Sequence, residues 1–365
     1  MNKQTSSVEA PQIALPVKLQ GLPGSPYTRK MLAVLRYRHL PYRLILNLPQ
    51  NPDVPGNGEQ RATLPVPKVS LLPTFYLKDG AGKLQAVTDS TPIIRRLEQA
   101  FEQRSVIPAH PVARFLNYLL EDYADEWLTR CMFHYRWSYA ADINKAGQVL
   151  PLYARVDLPD PAWKTYIERF TERQIGRLHV VGSNEMTGAA IEASYQRFLK
   201  LMEAHLSGSP FLFGGRPASA DFALMGQLTC LTHFDSTPTR LCEQHAPRVY
   251  TWVERLEDLS GHEVSDDDWL EPSSLPNSLS ELLVEVSRTH MPQLLANAHA
   301  VRAGKKEFET RIDGSAWVQP SFPYQLKCLV WIREEFATLS AEDQQIARNI
   351  LEHAGLLPII DEAVA

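Results

Sequence analysis

The sequence predicts an α/β domain followed by an all-helical domain, with a further, mostly helical segment appended. Three observations carry this. An alternating stretch, Leu15-Pro16-Val17-Lys18-Leu19, runs through a tight turn into an amphipathic run containing Met31, Leu32, Val34 and Leu35. From residue 112 to 139, Val112, Phe115, Leu116, Leu119, Tyr123, Trp127, Cys131 and His134 recur at helical spacing. Beyond about residue 260, new turn signals and new helical runs begin.

At roughly 100–200 residues per domain, a chain of 365 residues holds two or three domains. We expect a flexible N-terminus over 1–14, the α/β domain over 15–104, the helical domain over 109–260 and the extension over 261–365. With 44% hydrophobic residues, 22% charged residues and a net charge of −5, the chain is too balanced for a nucleic-acid partner. The first residues lack the apolar core of a signal peptide. No stretch approaches the roughly 20 apolar residues of a membrane span, so a cytoplasmic protein is expected.

Ser25-Pro26 opens the first helix. Proline suits the first turn because its missing N–H would be unpaired there anyway. Ser25 therefore stands at a helix N-terminus, where free N–H groups and the helix dipole favour a negative charge such as a thiolate. The plainer alternative is an N-cap and nothing more. Residues 42–48 form a second strand. Leu72-Pro73-Thr74 opens a third, and proline is tolerated at a strand's first residue. Asp89-Ser90 then places another polar pair at a helix entrance, before Ile93, Ile94 and Leu97.

This order, with Ser25, Pro73, Asp89 and Ser90 in their places, resembles the thioredoxin-like N-terminal domain of cytosolic glutathione transferases of a Ser-type, bacterial-like kind. The resemblance covers residues 15 to about 260. It implies that Ser25 faces the glutathione sulfur, that the Leu72 backbone pairs with the cysteinyl part beside a cis Pro73, and that Asp89 and Ser90 hold the γ-glutamyl end. Tyr27 is the reserve for Ser25. It also implies glutathione as co-substrate, a small hydrophobic electrophile and a two-fold homodimer. Tyr123, Trp127 and His134 are candidates for the electrophile pocket, with core packing the alternative for each.

The four cysteines, Cys131, Cys230, Cys242 and Cys328, follow no zinc or disulfide spacing, and none precedes residue 131. A thiolate supplied by the protein is therefore disfavoured in the α/β domain, and the sulfur arrives with the ligand. Glu121 and Asp125, like Asp122 and Glu126, set like charges at i,i+4. We read them as a solvated or interface face answered by arginines, with a Glu126–Arg130 pair. No Glu-x-x-His motif accompanies them, and no metal is expected.

The proline-rich stretch 49–68 reads as loop where the family has a helix, with Arg61 and Lys68 read as surface charges with no role and, as the alternative, as partners for the glycyl carboxylate. Residues 142–161 read as less regular, and 163–178 and 189–206 as helices. Ala218 stands where the family's capping box has a hydroxyl, while Asp221 fits; either Ser219 shifts in to cap or about 1 kcal/mol of cap stability is missing. In the extension, a helix over 279–299, a hairpin around Asp313-Gly314, a helix opening at Pro323 and one capped by Ser340 with Asp343 are expected. The extension either covers the pocket mouth or builds a subunit contact. Three readings follow: a glutathione transferase, a non-catalytic binding or scaffold protein of the same fold, or a glutathione-dependent isomerase or dehalogenase.

Overall fold

The computed structural model describes residues 13–46 and 64–364. Residues 1–12 of the segment expected to be flexible and most of the 49–68 loop, Arg61 included, fall outside the described residues. Residues 64–68 carry no regular element, and Lys68 is exposed.

The α/β domain is a four-stranded sheet of β1 (Val17–Gln20), β2 (Tyr42–Ile45), β3 (Thr74–Lys78) and β4 (Leu84–Val87), in the order β2-β1-β3-β4. β1 and β2 are parallel, bridged by helix α1 (Pro26–Tyr37), and β3 runs antiparallel to both β1 and β4. Helix α2 (Ser90–Ala100) follows β4. Val17, Leu19, Phe75 and Leu77 on the sheet, Val34 and Leu35 on α1, and Ile93, Ile94 and Leu97 on α2 are buried in one core. The Leu72-Pro73 peptide is cis, as is Leu15-Pro16.

The long helix expected from residue 112 is continuous but not uniform. It comprises α3 (Pro111–Tyr123), a π-helical turn at Ala124–Leu128, and α4 (Thr129–Ser138). The π turn lies on the acidic stretch, and such turns often sit at functional sites. Residues expected to be less regular form helix α5 (Ala140–Val149) and a short 3₁₀ turn, Leu150–Tyr153. Gly147 explains how that helix packs: a Cβ there would stand 2.6 Å from Thr171 Oγ1 on helix α6 (Asp160–Ile175). Helices α7 (Gly188–His205), α8 (Ser219–Leu228), α9 (Ser236–His245) and α10 (Pro247–Leu256) complete the domain.

At the start of α8, Asp221 accepts from the Ala218 and Leu212 backbone N–H groups at 2.8 and 3.0 Å, the acid half of a capping box. The Ser219 hydroxyl does not cap. It donates to Glu121 Oε2 at 2.6 Å and accepts from Asn117, drawn there by a buried carboxylate.

In the extension the expected single helix is two, α11 (Asn277–Arg288) and α12 (His290–Arg302), parted at Thr289. The hairpin is β5 (Glu307–Ile312) with β6 (Ser315–Pro320). Asp313 and Gly314 sit at φ 49° and 76°, as a two-residue turn of this twist requires. Then come α13 (Pro323–Ala337), α14 (Ala341–His353), whose cap Ser340 accepts from Asp343 N, and α15 (Pro358–Asp361). The extension has no separate core: α11 packs on α7 and α3, and α13 and α14 pack on α3. No helix among the described residues is long and apolar enough to cross a membrane.

Candidate functional site

Ser25 is the N-cap of α1, in extended conformation, accepting from Thr28 N at 3.3 Å and donating to Leu72 O at 3.4 Å. Both bonds are long for a hydroxyl, so this oxygen is held loosely between a helix N-terminus and the backbone beside cis Pro73. The helical domain walls the turn closely. A Cβ on Gly24 would stand 2.7 Å from the Leu150 side chain and 3.0 Å from that of Tyr153, so both would have to shift to admit a larger residue. Tyr27, the reserve, is committed elsewhere. Its hydroxyl donates to Asp125 O at 2.7 Å and meets Thr129 Oγ1 at 2.8 Å, tying α1 to the helical domain. Burial, reinforced by Glu126 and Asp125, pushes that phenol well above its ordinary pKa.

Asp89 and Ser90 stand at the start of α2, as the resemblance implies, but both are engaged. Asp89 has φ 84°, ψ 111°, a conformation costing a non-glycine residue about 1–3 kcal/mol, and its side chain does not cap the helix. Asp89 Oδ2 instead accepts the hydroxyl of Tyr324 at 3.0 Å, from the first turn of α13. Burial raises the Asp89 pKa against the lowering effects of Tyr324, Lys30 and Lys327. Ser90 Oγ accepts from Lys30 Nζ at 3.0 Å and is buried. The extension therefore covers the Asp89 carboxylate at the start of α2.

Beneath this lies a charge cluster that the sequence did not disclose. Lys30, on the buried face of α1, donates to Glu121 Oε1 at 2.9 Å and Asp125 Oδ2 at 2.6 Å. Arg95 approaches Glu121 at 3.6 Å. Asp122 pairs with His290 Nε2 at 2.7 Å, and Glu126 accepts from Gln325 at 2.9 Å. The solvated, arginine-answered face is thus corrected: the acids are buried or half-buried, and a lysine from the other domain answers the inner pair. Nor do Glu126 and Arg130 pair. Arg130 donates to Val181 O and Gln319 Oε1.

Burial works against the Glu121 charge, but Lys30, Arg95 and Ser219 outweigh it and hold this carboxyl down near 2. For Asp125 burial wins over Lys30, with the Glu121 charge adding to it, and its pKa is pushed up. Among the described residues no group of three or more His, Cys, Asp or Glu side chains is arranged to hold a metal ion.

Tyr123, Trp127 and His134 are core side chains. Tyr123 packs against Phe198 and His290, Trp127 lies 5.6 Å from Trp317 of β6 and donates to Ser194, and His134 meets Ser183 and Glu192. All four cysteines are buried and free.

Residues 19–105 match the family model described as glutathione S-transferase, N-terminal domain, and residues 183–259 the one described as glutathione S-transferase, C-terminal domain. No curated protein matches the chain. Among solved structures, a GST-like protein from Pseudomonas syringae is 18% identical, with 66% of each chain covered and a TM-score of 0.38. A glutathione S-transferase from Rhodospirillum rubrum F11 is 16% identical, covering 70% of this chain and 96% of that one, with a TM-score of 0.42. A glutathione transferase family member from Pseudomonas fluorescens pf-5, with two glutathione bound, is 16% identical, covering 66% and 87%, at 0.39. The two domain matches, in family order, support the glutathione S-transferase family. The fold is a thioredoxin-like domain, a glutathione-transferase helical domain and additional helices beyond residue 260.

Proposed function

We propose that this protein binds glutathione in the groove between Ser25 and Asp89 and activates its thiolate for attack on a small hydrophobic electrophile. The observation that carries the reading is the Ser25 hydroxyl, loosely held at the N-terminus of α1 and facing the Leu72 backbone beside cis Pro73. A free thiol of pKa about 8.5 is only a few per cent ionised at neutral pH. A hydroxyl donor and a helix N-terminus both favour the thiolate, and a downward shift of one or two units raises the reactive fraction severalfold or more. In this reading Ser25 turns its proton from Leu72 O to the sulfur, the Leu72 backbone aligns the cysteinyl unit, and Asp89 and Ser90 receive the γ-glutamyl end. A two-fold homodimer, implied by the family, belongs to the same proposal and is tested by light scattering.

A non-catalytic binding or scaffold protein is the competing reading, favoured by a specific observation: Tyr324 bonds to Asp89 and Lys30 to Ser90, so both side chains assigned to the γ-glutamyl end are already engaged within the chain. An isomerase or dehalogenase uses the same thiolate on another acceptor. Calorimetric titration with reduced glutathione separates the first two readings. Saturable binding supports glutathione recognition, and silence at millimolar ligand leaves the scaffold. A panel of electrophiles, haloalkanes and isomerisable substrates then assigns the chemistry.

A further inference from the structure

The γ-glutamyl end of glutathione carries an ammonium and a carboxylate on the same carbon, so a site that holds it needs an anion and a cation side by side. Asp89, half-buried at the start of α2, supplies the anion. Two lysines stand near enough for their charge to act on it, Lys30 and Lys327. Lys30 is buried, and its three N–H donors are taken by Ser90, Glu121 and Asp125. Lys327, on α13, is exposed and enters no ion pair among the described residues. We infer that Lys327 binds the α-carboxylate of the γ-glutamyl unit, so that the extension contributes a ligand-binding residue to the α/β domain. This role rests on the glutathione reading and deepens it.

The fold sets the cation beside the acid. Tyr324 Oη donates to Asp89 Oδ2 at 3.0 Å, which pins the first turn of α13 against the start of α2. Lys327 follows three residues later, about 5 Å further along the same helix face. Gln325, Cys328, Leu329 and Ile332 are buried on the adjoining face, so Lys327 stands with Tyr324 and Trp331 at the rim of the packed surface. Trp331, four residues beyond, backs the ammonium: Lys327 Nζ lies 4.2 Å from its ring centroid, and the Tyr324 ring meets the same ring edge-on at 6.4 Å. A ring face attracts an ammonium without neutralising it and without using up its N–H donors. The lysine is thereby held in place yet left free to donate to a carboxylate.

The acids behind α13 do not need this cation. Asp122 pairs with His290 and Asp125 with Lys30. Burial, with Asp122 adding to it, pushes Glu126 up to about 8 against the weaker pull of Gln325 and Arg130, so Glu126 is mostly protonated at neutral pH. A bound γ-glutamyl unit then alternates charge with the protein, its ammonium on Asp89 and its carboxylate on Lys327. Removing either ligand charge costs affinity through a different residue.

The test is calorimetric titration of the full chain, Lys327→Met and Lys327→Arg at constant ionic strength with three tripeptides: reduced glutathione, 4-aminobutanoyl-cysteinylglycine, which lacks the α-carboxylate, and glutaryl-cysteinylglycine, which lacks the α-ammonium. In Lys327→Met the affinity for glutathione and for the glutaryl tripeptide is expected to fall about five- to tenfold, the loss of one partly exposed charge-assisted bond, with affinity for the aminobutanoyl tripeptide unchanged. Lys327→Arg keeps the charge and is expected to stay within about threefold of wild type. Unchanged glutathione affinity in Lys327→Met, or an equal loss for all three tripeptides, overturns the role of Lys327 while the glutathione reading stands. Silence of the wild type towards glutathione overturns that reading and this role with it.

Discussion

Replacing Lys30 with methionine keeps an unbranched side chain of similar bulk and deletes only the ammonium. In the native chain that ammonium makes three contacts, with Ser90, Glu121 and Asp125, at 3.0, 2.9 and 2.6 Å, all buried. Breaking a buried pair from one side costs about 3–5 kcal/mol, because the partner is left charged and unsolvated. Arg95, 3.6 Å from Glu121, relieves part of the loss there, but among the described ion pairs Asp125 has Lys30 alone. We expect about 3–5 kcal/mol at pH 8. The loss shrinks towards pH 5, since acids stripped of their cation hold protons in the folded state. A carboxyl raised above its unfolded value binds more protons folded than unfolded, so its contribution to stability falls as pH rises through that window. Urea unfolding at pH 5, 6.5 and 8 measures this, and adding Asp125→Asn to Lys30→Met is expected to recover part of the loss. A variant within 1 kcal/mol of wild type at every pH would mean that the cluster is solvated and that the burial argument fails.

Ser25→Ala removes the cap hydroxyl and is expected to cost about 1 kcal/mol of stability. It is also expected to cut turnover while leaving glutathione affinity nearly intact, and unchanged turnover in steady-state assays removes Ser25 from the mechanism. Tyr324→Phe frees Asp89 Oδ2 and is expected to tighten glutathione binding severalfold by calorimetry, whereas weaker binding would make Tyr324 part of the ligand site. Gly226→Ala is expected to destabilise by about 1–3 kcal/mol, because a Cβ there would lie 2.7 Å from Pro26 O where α1 crosses α8. In wild type, the raised Glu126 makes stability decline from pH 5 to pH 8. Glu126→Gln is expected to flatten that slope in unfolding titrations.

What the sequence made legible was local chemistry. The Ser25 cap, the Asp313-Gly314 turn and the Ser340 cap each depend on a few adjacent residues whose backbone preferences decide the outcome. What stayed hidden depends on partners far along the chain. Lys30 lies four residues from Pro26 and from Val34, inside the buried stripe of α1. A cation there, together with two like-charged pairs on another helix, was a signal of cross-domain pairing that reading the helices separately missed. The π turn at Ala124–Leu128 shifts the register of the side chains after it, so periodicity alone could not tell pocket from core for Trp127 or His134. In α5, Gly147 lowers the local helix propensity, but its missing Cβ leaves room for Thr171, a tertiary gain that the local sequence does not show. The contact of Tyr324 with Asp89 spans 235 residues, and nothing in either segment announces the other.

The most direct measurement is calorimetric titration of the full chain and of Tyr324→Phe with reduced glutathione. The account predicts saturable binding in both, tighter when the phenol no longer competes for Asp89. Absence of heat and of any Tm shift at millimolar tripeptide in both proteins would contradict it, leaving a groove that the extension fills for good.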